Sequence, residues 1–216
     1  MPKLSLSQQD ERRTRVLDAA EICFPRMGFH RTTMQHICRE AGISAGALYL
    51  YFDSKEDLIA GIVERDREDV LSRFAALAHE PDLLVGLQNV MRGCIIDRPP
   101  HKSALIIEIG AEATRNPAIA RTLAHCDQSI RASLRGLLDR AVLEGRITPT
   151  RPTSEIVPIM ELLADGMFWR RAIDPHFDAE AVMPAVLAMM GPMLGRDSRP
   201  MVLPVAPSPA RLEALA

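Results

Sequence analysis

Residues 33–55 constrain this chain more than any other stretch, because they read as two short helices joined by a tight turn. Met34, Ile37, Cys38 and Ala41 recur at helical spacing, so a short helix with one apolar face is predicted over them. A second short helix follows at once and leads into a third, longer one. This order predicts a helix-turn-helix.

Local signals fix where these helices begin and end. Thr33 and Ser44 each stand just before a predicted helix as N-cap residues. Gly42 follows the first helix, where the chain needs a positive φ that glycine adopts at little cost. Ser54 and Asp57 form a variant capping box that starts the third helix. The turn and all three helix starts are therefore predicted from residue type.

The second helix is small at its start and aromatic at its end. Residues 45–47 are Ala-Gly-Ala, so its first turn is nearly bare and can approach a nucleic-acid backbone closely. Such a helix fits the major groove of DNA. The alternative is an ordinary corner between two helices that binds nothing.

The register of the second helix predicts which large side chains face outward. Leu48 and Phe52 are four residues apart and are expected to face inward. Tyr49, Leu50 and Tyr51 then point partly outward. Most of the aromatic residues in this region are expected to fill a small core.

These residues carry a family resemblance. The run TTMQHICREAGISAGALYLYFDSKEDL looks like the DNA-binding headpiece of the TetR/AcrR family of bacterial transcriptional regulators, and the preceding RRTRVLDAAEICFPRMGFHRTTM resembles that family's first helix. The match spans residues 10–70 without gaps. Beyond it, only AEATRNPAIA is similar to a subset of members, so the function of the later part is inferred from the class.

The resemblance implies a set of DNA contacts. A phosphate role is implied for Thr33 and Lys55, a phosphate, sugar or thymine role for Tyr49 and Tyr51, and a base or backbone role for Gln35. The small run at 45–47 offers few hydrogen-bonding side chains, so shape or water is expected to carry part of the specificity. The full predicted set is Thr33, Gln35, His36, Ser44, Ala45, Gly46, Tyr49, Leu50, Tyr51 and Lys55.

The rest of the chain predicts an all-α fold without strands or internal repeats. Pro25 is expected to kink or shorten the end of the first helix. The longer helices are predicted over 10–27, 55–79, 82–97, 101–114, from Asn116-Pro117 to 144, 154–173 and 178–194. The chain is thus divided into a helix-turn-helix DNA-binding domain at 10–70, a helical ligand-binding and dimerisation domain at 71–195 and a proline-rich flexible tail at 196–216.

Composition limits the other possibilities. The net charge is −2, so a DNA-binding face must come from the local placement of Lys3, Arg12, Arg13, Arg31 and Lys55. No apolar run is long enough to span a bilayer and the N-terminus lacks the apolar core of a signal peptide. We therefore expect a cytoplasmic protein without a membrane partner.

The body resembles the family's inducer-binding domain, which implies a small-molecule effector in a mostly apolar pocket. Glu108 interrupts an apolar run, so its carboxylate needs a partner: a cationic ligand, or one of Arg115, His125 and Arg170. The methionines suit an adaptable pocket, although a methionine stripe also fits plain core. The predicted lining is Phe74, Met91, Cys94, Ile95, Leu105, Glu108, Cys126, Ile130, Met160, Leu163, Met167 and Trp169.

The last two predicted helices are too apolar to be covered within one protomer. They are similar to the family's dimerisation pair, which implies a two-fold homodimer and a palindromic operator. The resemblance further implies a repressor that its ligand releases from DNA. An activator, or a regulator without a ligand, stays open.

Two other classes are considered. No Ser-His-Asp order, metal motif or glycine-rich phosphate loop occurs, so we expect neither an enzyme nor a cofactor or metal. The four cysteines lack zinc-ligand spacing and are read as reduced core thiols, with a redox sensor as the alternative. The other rival is a helical ligand-binding or scaffold protein that does not bind DNA.

Overall fold

The computed structural model describes residues 6–196, which form α-helices joined by short turns and no strands. No helix in this part of the chain is both long and apolar enough to cross a membrane. The predicted all-α fold is confirmed. The helices are α1 Leu6–Met27, α2 Met34–Ala41, α3 Ala45–Leu48, α4 Lys55–Leu77, α5 Leu83–Met91 followed by a π-helical turn Arg92–Ile96, α6 Pro100–Ala113, α7 Pro117–Leu143, α8 Thr153–Ile173 and α9 Ala179–Met193.

The helices of the helix-turn-helix begin where the sequence predicts, but α3 ends at Leu48, before the aromatic residues that were expected to close it. Three hydroxyl oxygens accept the backbone N–H three residues further on, at 3.1–3.2 Å: Thr33, Ser44 and Ser54. Gly42 ends α2 with φ at 65°, in the left-handed region. These bonds satisfy donors that the first turn of a helix leaves unpaired.

The start predicted for the first helix is wrong. α1 begins at Leu6 instead of residue 10, because the apolar pattern that located the helix starts only at Val16. The polar residues before it favour a helix without burying anything. α1 also continues through Pro25 to Met27, so the proline does not shorten it. Residues 1–5 and the predicted tail from 197 lie outside the described residues.

The predicted helix at 82–97 is divided in two. It is α-helical as far as Met91 and then π-helical over Arg92–Ile96. A Cβ on Gly93 would lie 1.8 Å from Nη1 of Arg73, so the glycine makes room for the α4 guanidinium. A π-turn inserts an extra residue that an apolar periodicity cannot reveal.

Buried apolar side chains form two clusters. The headpiece core joins α1–α4 to Leu105 and Ile109 of α6 and to Ile119 and Cys126 of α7. The body core joins the end of α4 to α5, the π-turn, the second half of α7, α8 and α9. The headpiece core is therefore closed by helices from beyond residue 70. The boundary at 70 stays a prediction, because α4 runs through it unbroken.

Charged side chains tie α1 to α4 and α6 where the two cores meet. The Glu21 carboxylate is almost fully buried and pairs with Arg65 Nη2 at 2.7 Å and with Lys102. Lys102 also reaches Asp66 at 3.4 Å, and Asp66 pairs with Arg98 at 3.1 Å. A buried carboxylate needs such partners, so these pairs hold α1 against the body.

Candidate nucleic-acid interface

The helix-turn-helix presents a continuous polar and aromatic surface. Of the ten predicted DNA contacts, His36, Tyr51 and Lys55 are half-buried and seven are exposed. The exposed ones are Thr33, Gln35, Ser44, Ala45, Gly46, Tyr49 and Leu50. Nine of the ten belong to α2, α3 and the residues that flank these helices, and Lys55 is the first residue of α4.

The cap hydroxyls keep a donor for DNA. Thr33 and Ser44 use an oxygen lone pair to accept a backbone N–H, so each hydroxyl hydrogen is left to donate to a phosphate. His36 Nδ1 accepts the backbone N–H of Thr33 at 3.3 Å, which completes a capping box. Because Nδ1 accepts, a neutral His36 carries its proton on Nε2, and only that nitrogen can donate outward.

The orientation of α3 follows its register. Leu48 and Phe52 are buried, whereas Tyr49 is 50% and Leu50 is 78% exposed. Tyr51 packs partly against the headpiece core. The inward and outward orientations predicted for these residues are confirmed. Because Leu48 and Phe52 are buried, Tyr49 and Leu50 are left in solvent just after the end of the helix.

Lys55 has a partner inside the protein that the sequence did not indicate. Its Nζ donates to the backbone carbonyl of Phe29 at 2.6 Å and lies 4.2 Å from the centroid of the Phe29 ring. An ammonium group has three donors, so a phosphate contact is compatible with this bond and stays a prediction.

Other basic residues near this face are also partly engaged. The Arg13 guanidinium lies 5.5 Å from the ring centroid of Phe52. Arg31 Nε donates to the carbonyl of Met27 at 2.9 Å. Lys3 lies outside the described residues. The local basic surface is therefore built from side chains that also hold the headpiece together.

Comparisons with known proteins identify this arrangement. The family model for bacterial regulatory proteins of the tetR family matches residues 16–62. Over 140 residues the chain is 36% identical to the HTH-type transcriptional regulator UidR of Escherichia coli strain K12. The matched region covers 63% of this chain and 69% of UidR. The chain belongs to the tetR family.

Two further comparisons extend the match over the body. The chain is 28% identical over 174 residues to the HTH-type transcriptional repressor Rv1474c of Mycobacterium tuberculosis, covering 80% of this chain and 88% of that one. The structure of Salmonella enterica GusR superposes with a TM-score of 0.70 at 28% identity, covering 89% of this chain and 99% of GusR. This tetR-family protein is a DNA-binding transcriptional regulator with an N-terminal helix-turn-helix.

The body of this regulator brings most of the predicted effector residues together. Eight of the twelve lie in the body core or pack against it. They come from α4, α5, the π-turn, α7 and α8. The eight are Phe74, Met91, Cys94, Ile95, Ile130, Met160, Leu163 and Met167.

Three predicted lining residues lie elsewhere, which corrects the predicted pocket. Leu105 and Cys126 are part of the headpiece core, because α6 gives its buried apolar side chains to that core and α7 contributes to both cores. Trp169 is 51% exposed on α8. Helical spacing placed Cys126 on an apolar face of α7, but it did not indicate which neighbour that face would meet.

The largest difference from the predicted pocket concerns the hydrogen-bond partner of Glu108. Its Oε1 accepts the backbone N–H of Phe29 at 2.5 Å, so its partner is the link between α1 and α2. The candidate partners Arg115, His125 and Arg170 are not the ones that bond it. A backbone amide as partner has no signature in side-chain pattern, which is why the sequence did not reveal it.

A cleft of about 410 Å³ opens between α4 and α7. Glu64 lines it with its carboxylate bonded to Arg67, a hydrogen bond that lowers the pKa of Glu64. Sequence analysis missed this cleft because it did not place α4 beside α7. Its lining residues are Ala60, Val63, Glu64, Arg121, Thr122, His125 and Cys126, of which only Cys126 was predicted for a pocket.

The cysteines behave as core residues. All four are free and buried. Burial raises the pKa of Cys23, Cys38 and Cys94, and it raises the pKa of Cys126 to about 11. A protonated thiol is a weak nucleophile and a poor metal ligand. Residues 6–196 contain no cluster of three or more metal-ligating side chains.

α8 and α9 leave large apolar side chains in solvent. Leu162 is 69%, Trp169 51% and Ile173 51% exposed on α8, and Met189 is 62% exposed on α9. Ile159 of α8 and Val182 of α9 are less exposed members of the same set. The body of one protomer therefore leaves this apolar surface uncovered.

Proposed function

We propose that this regulator is a homodimeric repressor that binds a palindromic operator and is released by a small, largely apolar ligand. Repression is supported by the resemblance to Rv1474c, which is named a transcriptional repressor. A regulator that acts on the bacterial chromosome works in the cytoplasm, which is the compartment we propose. DNA binding, dimerisation and effector binding each rest on a separate feature of the molecule.

The exposed face of α2 and α3 is the observation that carries DNA binding. Ala45 and Gly46 are exposed, and a Cβ on Gly46 would meet nothing within 4 Å. The duplex can therefore approach this turn closely. The hydroxyls of Thr33 and Ser44 and the rings of Tyr49 and Tyr51 supply the contacts in this proposal.

Dimerisation is supported by the spacing of the exposed apolar residues on α8. Ile159, Leu162, Gly166, Trp169 and Ile173 follow one another at alternating steps of three and four, which places them on one face of the helix. A Cβ on Gly166 would meet open space, so another helix can approach closely there. A second copy that presents the same face, with α9 beside it, would complete a four-helix interface.

Effector binding is proposed in the body, among the eight predicted residues that gather there. Met91, Met160 and Met167 are unbranched and adaptable, so these side chains can move apart to admit a small apolar molecule. Such a ligand weakens DNA binding only to the extent that it favours the conformation that does not bind DNA.

Selection of bound fragments from bacterial genomic DNA, followed by a mobility shift, tests the proposal. We expect a saturable complex whose affinity falls steeply as salt rises, because phosphate contacts release counterions. Tyr49→Ala protein with an unchanged melting temperature serves as the matched control and is expected to give no shift. A folded protein that shifts no fragment at any salt concentration would refute DNA binding and favour a ligand-binding scaffold.

A further inference from the structure

The backbone of Phe29 is held by one side chain at its N–H and by another at its carbonyl. Its N–H donates to Glu108 Oε1 at 2.5 Å, and its carbonyl accepts from Lys55 Nζ at 2.6 Å. Glu108 belongs to α6 of the body, whereas Lys55 opens α4 beside the helix-turn-helix. The backbone of one residue, through two successive peptide groups, therefore joins a body carboxylate to a predicted phosphate-binding lysine.

The local backbone is shaped for this contact. Gly28 has φ at 81°, and a Cβ there would lie 3.5 Å from Glu108 Oε1. A positive φ is unfavourable for other residues, so glycine turns the link toward α6. Phe29 and Thr32 are buried, and Thr32 Oγ1 donates to the Gly28 carbonyl at 2.8 Å. The acceptor of Lys55 is thus fixed within a packed link.

We propose that Glu108 is a positioning residue for DNA binding. It holds the backbone of Phe29, so that the Phe29 carbonyl fixes Lys55 where the lysine meets an operator phosphate. The inference rests on the proposed function. The Phe29 N–H and carbonyl belong to successive peptide groups that meet at this buried residue, so a bond that fixes the N–H also restrains the carbonyl that accepts from Lys55. A lysine already held in place loses less side-chain freedom when it binds a phosphate.

Glu112 offers a contrast on the same helix. It lies one turn after Glu108, is buried, and pairs with His30 Nε2 at 3.1 Å and Arg115 Nε at 2.9 Å. It thus touches the same link at His30, whose carbonyl lies 3.5 Å from Lys55 Nζ, and it does not bond the backbone of Phe29. A change at Glu112 loosens the link without breaking the path from Glu108 to Lys55.

A double-mutant cycle on a selected operator fragment tests the path. The proteins are the wild type, Glu108→Ala, Lys55→Ala and the double variant, each measured for DNA affinity over a range of salt and for melting temperature. We expect Lys55→Ala to weaken binding about 10-fold or more and to reduce the salt slope by about two, one phosphate in each half-site. We expect Glu108→Ala to weaken binding by a comparable factor.

The decisive result is the double variant. If Glu108 acts through Lys55, Glu108→Ala has no further effect on DNA affinity once residue 55 is alanine. Glu112→Ala is the control, and its effect is expected to be the same in both backgrounds. Equal losses from Glu108→Ala with lysine or alanine at 55 would overturn the inference, because a general loosening of the link does not depend on Lys55.

If Glu108→Ala does not fold, the variant Glu108→Gln tests the inference in its place. Glu108→Gln keeps an oxygen that accepts the Phe29 N–H and removes only the charge, so we expect a folded protein with a smaller loss of affinity that again disappears without Lys55. An equal loss in both backgrounds overturns the inference here as well. A folded wild type that forms no saturable complex overturns the proposed function itself and the inference with it.

Discussion

The helices of the helix-turn-helix differ from two helices of the body, α6 and α8, in how they are positioned, whereas α5, α7 and α9 are capped by Asp82, Asn116 and Asp178. α2, α3 and α4 each begin at a hydroxyl that caps the backbone three residues away. α6 and α8 begin after Pro99 and Pro152, with no side-chain cap. The first region is fixed by bonds between near neighbours in sequence, while α6 and α8 depend on what packs against them.

This difference shows which signals determine a structure locally. The role of an N-cap residue or of a glycine with positive φ depends only on residues nearby in sequence. The roles of Thr33 and Gly42 could therefore be predicted without knowing the fold. An apolar stripe has several possible partners. On α6 such a stripe places Leu105 and Ile109 in the headpiece core, and on α8 it leaves Leu162 in solvent. The predictions below test this contrast, from the largest expected effect to the smallest.

The largest effect is expected at the uncovered stripe of α8. Leu162→Glu places one carboxylate from each protomer in the proposed interface, and burying an ion costs several kcal/mol. We expect sedimentation to show a monomer and operator affinity to collapse, because the two recognition helices are no longer joined. Leu143→Glu is the matched control, since Leu143 is 87% exposed on α7 and lies outside the stripe. A Leu162→Glu dimer of unchanged affinity would exclude this interface.

The next largest effect is expected at Tyr49. Losing one contact in each half-site by Tyr49→Ala weakens operator binding by roughly 2–6 kcal/mol, which is about 30-fold to 10⁴-fold. The dimer and its melting temperature stay unchanged because the side chain is half-exposed. Tyr49→Phe separates the hydroxyl from the ring. Operator affinity equal to wild type for the alanine variant at matched salt would refute the assignment of this face.

Leu48 and Leu50 separate folding from binding at the C-terminal end of α3. Leu48 is fully buried, so Leu48→Ala is expected to reduce the free energy of unfolding by about 2–5 kcal/mol. Leu50 is 78% exposed, so Leu50→Ala is expected to change stability by less than about 0.5 kcal/mol while lowering operator affinity. Chemical denaturation and a mobility shift measure the two effects. Similar stability losses for both variants would mean that the register of α3 is wrong.

The smallest effect is expected at the cysteines, which occur in both cores. The pKa of Cys126 is raised from 9.0 to about 11 by burial, which lowers the thiolate population near neutral pH about 100-fold. We expect slow alkylation of the native protein at pH 7, with a rate that rises toward pH 11 and becomes fast on unfolding. Rapid labelling of Cys126 at pH 7 would restore the redox-sensor alternative.

The sequence predicted the all-α fold, the helix-turn-helix and the orientation of Leu48 and Tyr49, because each depends on neighbours a few residues away. It did not predict the role of Glu108, whose partner is a backbone amide 79 positions earlier. It also could not assign the stripe of α6 to the headpiece core or divide the stripe of α7 between two cores, since an apolar stripe does not indicate its partner. The errors concern contacts that depend on how distant helices meet.

The central claim is that two copies of this chain bind a two-fold symmetric DNA site through α2 and α3. Hydroxyl-radical footprinting of the best genomic fragment tests it most directly. We predict two protected half-sites related by a palindrome, on one face of the duplex and one helical turn or a multiple apart, and no protection by Tyr49→Ala protein. A single protected half-site without symmetry, or protection that survives Tyr49→Ala, would contradict the account.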